Sequence, residues 1–212
     1  MSKITEGNSL LSALKSISRI HDALIDSVVI IADAGSRDLN SVYRLIKEVL
    51  VPCGLGSDRV VIALNKCDTA GEPGDFDYTA NEPTEALKQD LDNMVLEIQN
   101  RVKEETGWSH IEVVYYAAGF TKRDGTKQPS YNLNKLLYSI ITHIPNTKRL
   151  VIAQNTNNEE LKRDTDKEGY GGKVENSIWD TIGEYASGAL GFIKEVASNV
   201  IIEGGSWPPA RG

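Results

Sequence analysis

The sequence predicts an α/β fold with a parallel sheet of about three strands, plus a C-terminal helix. Three short segments are apolar on both faces, as strands buried between helices are: residues 26–33, 58–65 and 111–117. Each is followed by a segment in which apolar residues recur at helical spacing. This alternation of strand and helix is typical of parallel sheets with right-handed crossovers.

Capping and helix-breaking residues set the predicted limits of the helices. A helix N-cap favours a short polar side chain, whereas proline and glycine favour the two ends of a helix. The residues that carry these signals are Ser36 and Pro52 for the first helix, Pro83 and Gly107 for the second, and Pro145 for the end of the third.

Composition places the chain among ordinary globular proteins. Its 212 residues are 40% hydrophobic and 25% charged, which is enough for one sizeable domain with appendages. The net charge of −7 and the lack of a basic patch argue against a nucleic-acid partner. Cys53 and Cys67 lack the spacing of a zinc site or a disulfide framework. With no signal pattern and no apolar stretch of roughly 20 residues, we expect no transmembrane segment and a cytoplasmic location.

Four regions follow from the composition along the chain. We predict that residues 1–150 form the globular domain. Residues 151–176 are predicted to be a polar linker, because charged residues, Asn and Gly dominate there. Residues 177–203 predict an amphipathic helix, which we expect to pack on the domain or to self-associate; a membrane surface is the alternative. Residues 204–212 predict a flexible tail.

A polar cluster ends the second strand. Asn65, Lys66 and Asp68 follow the apolar run directly, and ligands of open α/β sheets bind outside the carboxyl ends of the strands. Asp68 offers two acceptor oxygens, which match the adjacent N–H donors of guanine and not the edge of adenine. The Lys66 methylenes can lie along the base, and Asn65 can tie this loop to a neighbouring one. The alternative is a polar turn that caps the next element.

This cluster resembles a known motif. Asn-Lys-x-Asp after a parallel strand is similar to the guanine-specificity motif of the Ras-like (TRAFAC) P-loop GTPases. The resemblance implies that the backbone N–H of Ala118, after the third strand, meets the guanine carbonyl oxygen. It also implies that Ala117 stands where the family has a serine that steadies the loop. Small residues before Gly119 are equally typical of an ordinary turn.

Further stretches resemble an Era-related, prophage-type family of bacterial GTPases. They are HDAL at 21–24, DAGSRDL at 33–39, and the stretch from 115 to 140. The resemblance covers roughly residues 15–150. It implies a three-layer, P-loop-NTPase-like half domain, namely the C-terminal half of a GTPase domain in an N-terminally truncated family member.

The sequence lacks the phosphate-binding motifs of that family. GxxxxGK[ST] does not occur, since Gly171-Gly172-Lys173 is followed by Val174, and Asp68 to Gly71 spells DxxG only through the base-reading aspartate. We therefore predict no catalytic residue, no metal or Mg²⁺ ligand, and GTP or GDP binding that is weak, in the millimolar range, or absent. Hydrolysis is not expected, so the chain is predicted not to act as an enzyme alone.

Partners and rival functions follow from the predicted sheet. Residues 27–32 are apolar on both faces yet would form an open edge, which predicts self-association or pairing with an intact paralogue. One rival function is therefore a non-nucleotide interaction module. Another is an active GTPase whose N-terminal portion is supplied by another chain. We predict turn or capping roles for Asp33 and Ser36, packing or loop roles for Trp108 and Tyr131, and no site at the histidines.

Overall fold

The fold is taken from a computed structural model, which describes residues 25–36, 38–145, 148–149, 164–165 and 168–177. Its strands are β1 (Val28–Asp33), β2 (Val60–Asn65), β3 (Phe76–Asp77), β4 (Glu82–Pro83), β5 (Glu112–Tyr115), β6 (Phe120–Thr121) and β7 (Lys127–Gln128). Its helices are α1 (Asn40–Leu45, continued by a π-helical turn over Ile46–Leu50), α2 (Glu85–Thr106) and α3 (Leu133–Thr142).

Strands β1, β2 and β5 form one parallel sheet in that order. The register pairs Val28 with Val60 at one end of β1 and Asp33 with Asn65 at the other, while Leu64 pairs with Tyr115 on the far side of β2. The predicted α/β fold with a parallel sheet of about three strands is thus confirmed. The register also brings the carboxyl ends of the three strands to the same edge of the sheet.

The central strand separates two apolar layers. All five residues from Val60 to Leu64 have no exposed surface. Alternating side chains of β2 point into a large core beneath α1 and α2 and into a smaller one beneath α3. The larger core contains Ile30, Ile62 and Val113, and the smaller one contains Val61 and Leu136. This two-sided burial explains why β2 reads as a continuous apolar run.

The first helix begins later than the sequence predicts. Helix α1 starts at Asn40, whose N–H donates to Asp38 Oδ1 at 3.0 Å, while the Ser36 hydroxyl donates to the Asp38 carbonyl at 3.3 Å. The prediction that Ser36 caps this helix is therefore wrong, because Asp38 lies closer to the first turn and holds its amide. The helical turns end at Leu50, close to the predicted stop at Pro52.

The second helix uses a different start from the one predicted and the same end. Thr84 is the N-cap of α2, since its side chain accepts from Leu87 N at 3.3 Å. Pro83 instead pairs with Phe76 in the β3–β4 hairpin, so its predicted role as the opening helical residue is wrong. Gly107 ends the helix with φ 78°, as predicted, and its N–H donates to the Lys103 carbonyl at 2.9 Å.

Buried amides join the β3–β4 hairpin to the β6–β7 hairpin. The Gln128 side-chain nitrogen donates to the Tyr78 carbonyl at 3.0 Å and to Asn81 Oδ1 at 2.8 Å. The Asn81 side-chain nitrogen in turn donates to the Ser130 carbonyl at 2.8 Å. Because Asn81, Gln128 and Ser130 are buried, losing any of these bonds would leave an unpaired polar group. The two hairpins are thereby fixed to each other.

Two residues of the predicted linker dock beside this network. The Asp164 carboxylate accepts from the Leu133 and Asn134 amides at 3.1 and 2.9 Å, so it caps α3 from 31 positions further along the chain. Thr165 pairs with Tyr131, and its N–H donates to the Ser130 carbonyl at 3.0 Å. Residues 170–177 are helical. The composition that predicted a linker over 151–176 carries no signal for these contacts.

Several predictions concern residues beyond the described part of the chain. They are the HDAL stretch at 21–24, positions 178–203 of the C-terminal helix, and the tail at 204–212. Among the helices that the structure describes, none is long and apolar enough to cross a bilayer.

The Asp164 cap provides a test of the docked segment. We expect Asp164→Ala to lower the free energy of unfolding by about 1 kcal/mol, because two amides at the start of α3 lose a charged acceptor. Chemical denaturation measures this change. Asp58→Ala serves as a control, since Asp58 is an exposed aspartate in the short helical turn Ser57–Arg59, outside α3. Equal destabilisation by both substitutions would contradict the capping role.

Candidate functional site

The turn after β2 is held in a left-handed conformation. Lys66 has φ 61°, and its backbone N–H donates to Asn65 Oδ1 at 2.8 Å. The next amide, that of Cys67, donates to the Tyr116 carbonyl at 3.1 Å, just beyond the end of β5. Asn65 therefore shapes its own turn, and a backbone bond ties this turn to the neighbouring strand.

The Lys66 ammonium is anchored on β1. Its Nζ lies 2.8 Å from Asp33 Oδ2, and Asp33 Oδ1 accepts from the Gly35 amide at 2.9 Å. Two hydrogen bonds lower the pKa of the Asp33 carboxyl: the larger effect comes from Lys66 and the smaller from the Gly35 amide. The hydrogen bond to Asp33 in turn raises the pKa of Lys66. Asp33 therefore has the predicted turn role and also holds the far end of the Lys66 side chain.

The Asp68 carboxylate remains accessible. In the part of the chain that the structure describes, it accepts one hydrogen bond, from the Tyr78 hydroxyl at 3.4 Å from Oδ2. The same hydroxyl lies 3.4 Å from the Asp68 carbonyl. These distances exceed the usual 2.5–3.0 Å for a hydroxyl donor, so the contact is weak and easily replaced. Asp68 thus offers acceptor oxygens at the sheet edge.

Ala117 and Ala118, in the loop after β5, have different surroundings. Ala117 is buried, and its N–H and C=O pair with Tyr131 at 3.0 and 2.9 Å. Ala118 is exposed, and its amide makes no hydrogen bond to any other described residue. The Ala118 amide therefore has no hydrogen-bond acceptor among the described residues, whereas Ala117 anchors the loop.

Gly119 is required where this loop reverses. Its φ is 73°, and a Cβ there would lie 2.6 Å from the Gln128 carbonyl oxygen and 2.9 Å from the Pro129 carbonyl carbon. Only glycine allows the loop to approach the opposite strand so closely. This requirement fixes Ala118 beside the end of β5.

The described residues contain no group of three or more His, Cys, Asp or Glu side chains that could hold a metal ion. Both cysteines are free thiols, and burial raises the pKa of Cys67, which keeps its thiol protonated at neutral pH. The His110 Nε2 atom lies 3.6 Å from Glu112 Oε2. Trp108 and Tyr131 pack against the larger core, which confirms their predicted packing roles.

Two site features lie outside the sequence prediction. The Asp33–Lys66 pair joins residues 33 positions apart, and the aromatic residues Tyr78 and Phe120 lie exposed beside Asp68 and Ala118. One feature of the sequence could have pointed to Phe120, because this residue directly follows the predicted loop that contains Ala117 and Ala118. Tyr78 has no such signal, because it comes from a polar loop without periodicity.

The ion pair predicts a titration. We expect the Asp33 carboxyl, followed by NMR, to titrate below its unfolded-state value of about 3.9, and Lys66→Met to move its midpoint upward. Because the folded-state pKa is lowered, the pair stabilises the fold above the unfolded-state pKa and loses this effect as the pH falls through the folded-state value. Asp77 serves as a control, since backbone amides of Ala80 and Thr79 lower its pKa. An unmoved Asp33 midpoint would contradict the pairing.

No family model, curated protein or solved structure matches this chain. The similarity to Ras-like GTPases therefore stays a prediction from motifs. What the described residues establish is an edge of a parallel sheet at which an anchored lysine, an accessible carboxylate and the amide of an exposed alanine lie on adjoining loops.

Proposed function

We propose that this edge of the sheet binds the guanine base of a guanine nucleotide. The observation that carries the proposal is that a weakly engaged acceptor, and a backbone donor without a partner among the described residues, lie on two loops joined by the Cys67–Tyr116 backbone bond. The acceptor is the Asp68 carboxylate, and the donor is the Ala118 amide. Both follow the carboxyl ends of adjacent parallel strands, where ligands of α/β sheets bind.

The proposed contacts match guanine and oppose adenine. Guanine presents two neighbouring N–H donors and a carbonyl oxygen along one edge, which suit a carboxylate and an amide N–H. Adenine presents a ring nitrogen acceptor and an amino donor on that edge. The carboxylate would therefore face an acceptor, and the amide N–H would face a donor. A charge-assisted hydrogen bond contributes about 1.5–3 kcal/mol, and an unpaired carboxylate costs a similar amount.

Lys66 and Asn65 have supporting roles in this proposal. Asp33 holds the Lys66 ammonium at 2.8 Å, so the lysine methylenes are positioned to cover a face of the base. Asn65 keeps the turn in the left-handed form through its 2.8 Å bond to the Lys66 amide. Ala117 steadies the second loop by pairing with Tyr131. The sequence motif and the three adjoining parallel strands favour a Ras-like, P-loop-NTPase-like half domain.

Phosphate recognition is not part of the proposal. The 212 residues contain no GxxxxGK[ST] motif, so we infer weak binding carried by the base and no hydrolysis by this chain. A net contribution of about 4 kcal/mol corresponds to a millimolar dissociation constant. The two free cysteines favour the cytoplasmic location expected from the sequence.

Nucleotide titrations test the base preference. We expect NMR titration to show binding of GMP in the millimolar range and at least about tenfold weaker binding of AMP, because only guanine pairs with Asp68 and Ala118. Asp68→Asn should shift the preference toward XMP, since an amide can donate to the additional carbonyl of xanthine. Asp58→Asn, a change at an exposed aspartate, should leave the preference for GMP intact.

Two outcomes would overturn parts of this proposal. Equal binding of GMP and AMP, or an unchanged preference in Asp68→Asn, would remove the base-reading role. Sub-micromolar binding of GDP, measured by calorimetry beside GTP and ATP, would show that phosphates are recognised by other residues of this chain.

A second candidate function is an interaction module that pairs through the edge of β1. In the described sheet β1 has one neighbour, and Ile31 on this strand is 66% exposed. An edge strand with an exposed large apolar side chain is a site of strand addition. We propose a second copy of this chain or an intact paralogue as the partner along residues 27–32.

Oligomeric state tests the edge. If the wild-type chain self-associates, we expect Ile31→Lys to shift it to monomer in light scattering after gel filtration, because an edge lysine opposes strand pairing. Leu96→Lys is the matched control, since Leu96 is 56% exposed on α2, away from the edge. An oligomer that survives Ile31→Lys would exclude the edge as its interface.

A further inference from the structure

We propose that the Tyr78 ring stacks against the purine held by Asp68 and Ala118, and that Phe120, which meets this ring nearly at right angles, supports it; together the two residues form an aromatic wall. This inference rests on the proposed guanine site and assigns it two further specificity-independent binding residues. Their positions flank the two reading groups: the Tyr78 hydroxyl contacts Asp68, and Phe120 follows Ala118 and Gly119 directly.

The wall is an exposed aromatic pair. Tyr78 is 41% exposed and Phe120 is 45% exposed, and their ring centroids lie 6.0 Å apart at 82°. They are two of the four large hydrophobic side chains that are exposed in the described part of the chain. Exposed aromatic side chains that contact each other beside polar reading groups are typical of ligand-binding surfaces.

The wall is rigid. Tyr78 packs on the buried Phe76, with centroids 5.1 Å apart, and Phe76 packs edge-on against Tyr131 at 5.8 Å. The Tyr78 backbone carbonyl accepts from the buried Gln128 side chain at 3.0 Å. Gly119 fixes the start of β6 and therefore Phe120. A surface held this firmly loses little conformational entropy when a ligand binds.

The hydroxyl and the ring of Tyr78 have different effects on binding. The hydroxyl donates weakly to Asp68 Oδ2, so it competes with a base that donates to the same oxygen. The ring offers a π-face, which stacks on any purine and so raises affinity without choosing between bases. Asp68 therefore sets the preference for guanine, while the wall sets the affinity common to both purines.

Substitutions in the wall can separate the affinity for purines from the preference for guanine. We expect Tyr78→Ala to weaken binding of GMP and of AMP at least about fivefold each, with their affinity ratio unchanged. Tyr78→Phe keeps the ring and loses the competing hydroxyl, so it should bind GMP as tightly as the wild type or more tightly. Phe120→Ala should also weaken binding of both GMP and AMP, with their affinity ratio unchanged. Leu96→Ala, at an exposed apolar residue on α2, is the control and should bind like the wild type.

A direct contact measurement accompanies these titrations. In the wild type we expect NOEs between the guanine H8 proton and the Tyr78 ring protons, with an upfield shift of H8. Unchanged affinities in Tyr78→Ala and Phe120→Ala, beside an intact guanine preference in the wild type, would overturn the wall alone. Absence of any guanine preference in the wild type would overturn the site and the wall together.

Discussion

The pairing of β2 with a neighbour on each side is the constraint on which the site depends. Because β2 is buried on both faces, its residues cannot slip in register without exposing apolar surface or burying Asn65. The register sets Asp33 level with Asn65 and leaves Tyr116 opposite the turn that follows β2. Polar residues that are distant in the sequence therefore meet at the carboxyl edge of the sheet.

Lys66 adopts a backbone conformation that is uncommon for a residue of its type. A left-handed residue other than glycine costs about 1–2 kcal/mol, and a simple turn would place glycine or asparagine there. Here the Asn65 side chain and the Asp33 carboxylate hold Lys66 at both ends. Strain that neighbouring groups stabilise in this way is concentrated at functional sites, which is a reason to propose a binding role for this turn.

The sequence predicted those features that depend on local patterns. Apolar runs and helical spacing predicted the sheet and its helices, and Gly107 marked the end of α2 correctly. Helix starts were less predictable, because the side chains that hold the first helical amides, Asp38 and Thr84, lie within two residues of the predicted Ser36 and Pro83. Pairs such as Asp33 with Lys66 are set by strand register, which periodicity within one segment does not encode.

The same limit applies to the aromatic and docked residues. Tyr78 reaches Asp68 because Asn81 and Gln128, buried and 47 positions apart, join their two hairpins by a hydrogen bond. Asp164 caps α3 from a stretch whose composition alone predicts a linker. In each case a long-range hydrogen bond decides the position, and neither partner differs in its local sequence from an ordinary loop residue.

Strand β1 links the two candidate functions physically. It supplies Asp33, which anchors Lys66, and it also carries the exposed Ile31, on a strand that has one neighbour in the described sheet. A partner strand along its free edge would hold the backbone of β1 from both sides, as β2 is held. Pairing at that edge would therefore steady Asp33 and, through the 2.8 Å ion pair, the lysine beside the proposed base site. Guanine recognition and strand pairing are for this reason compatible, and the first would gain rigidity from the second.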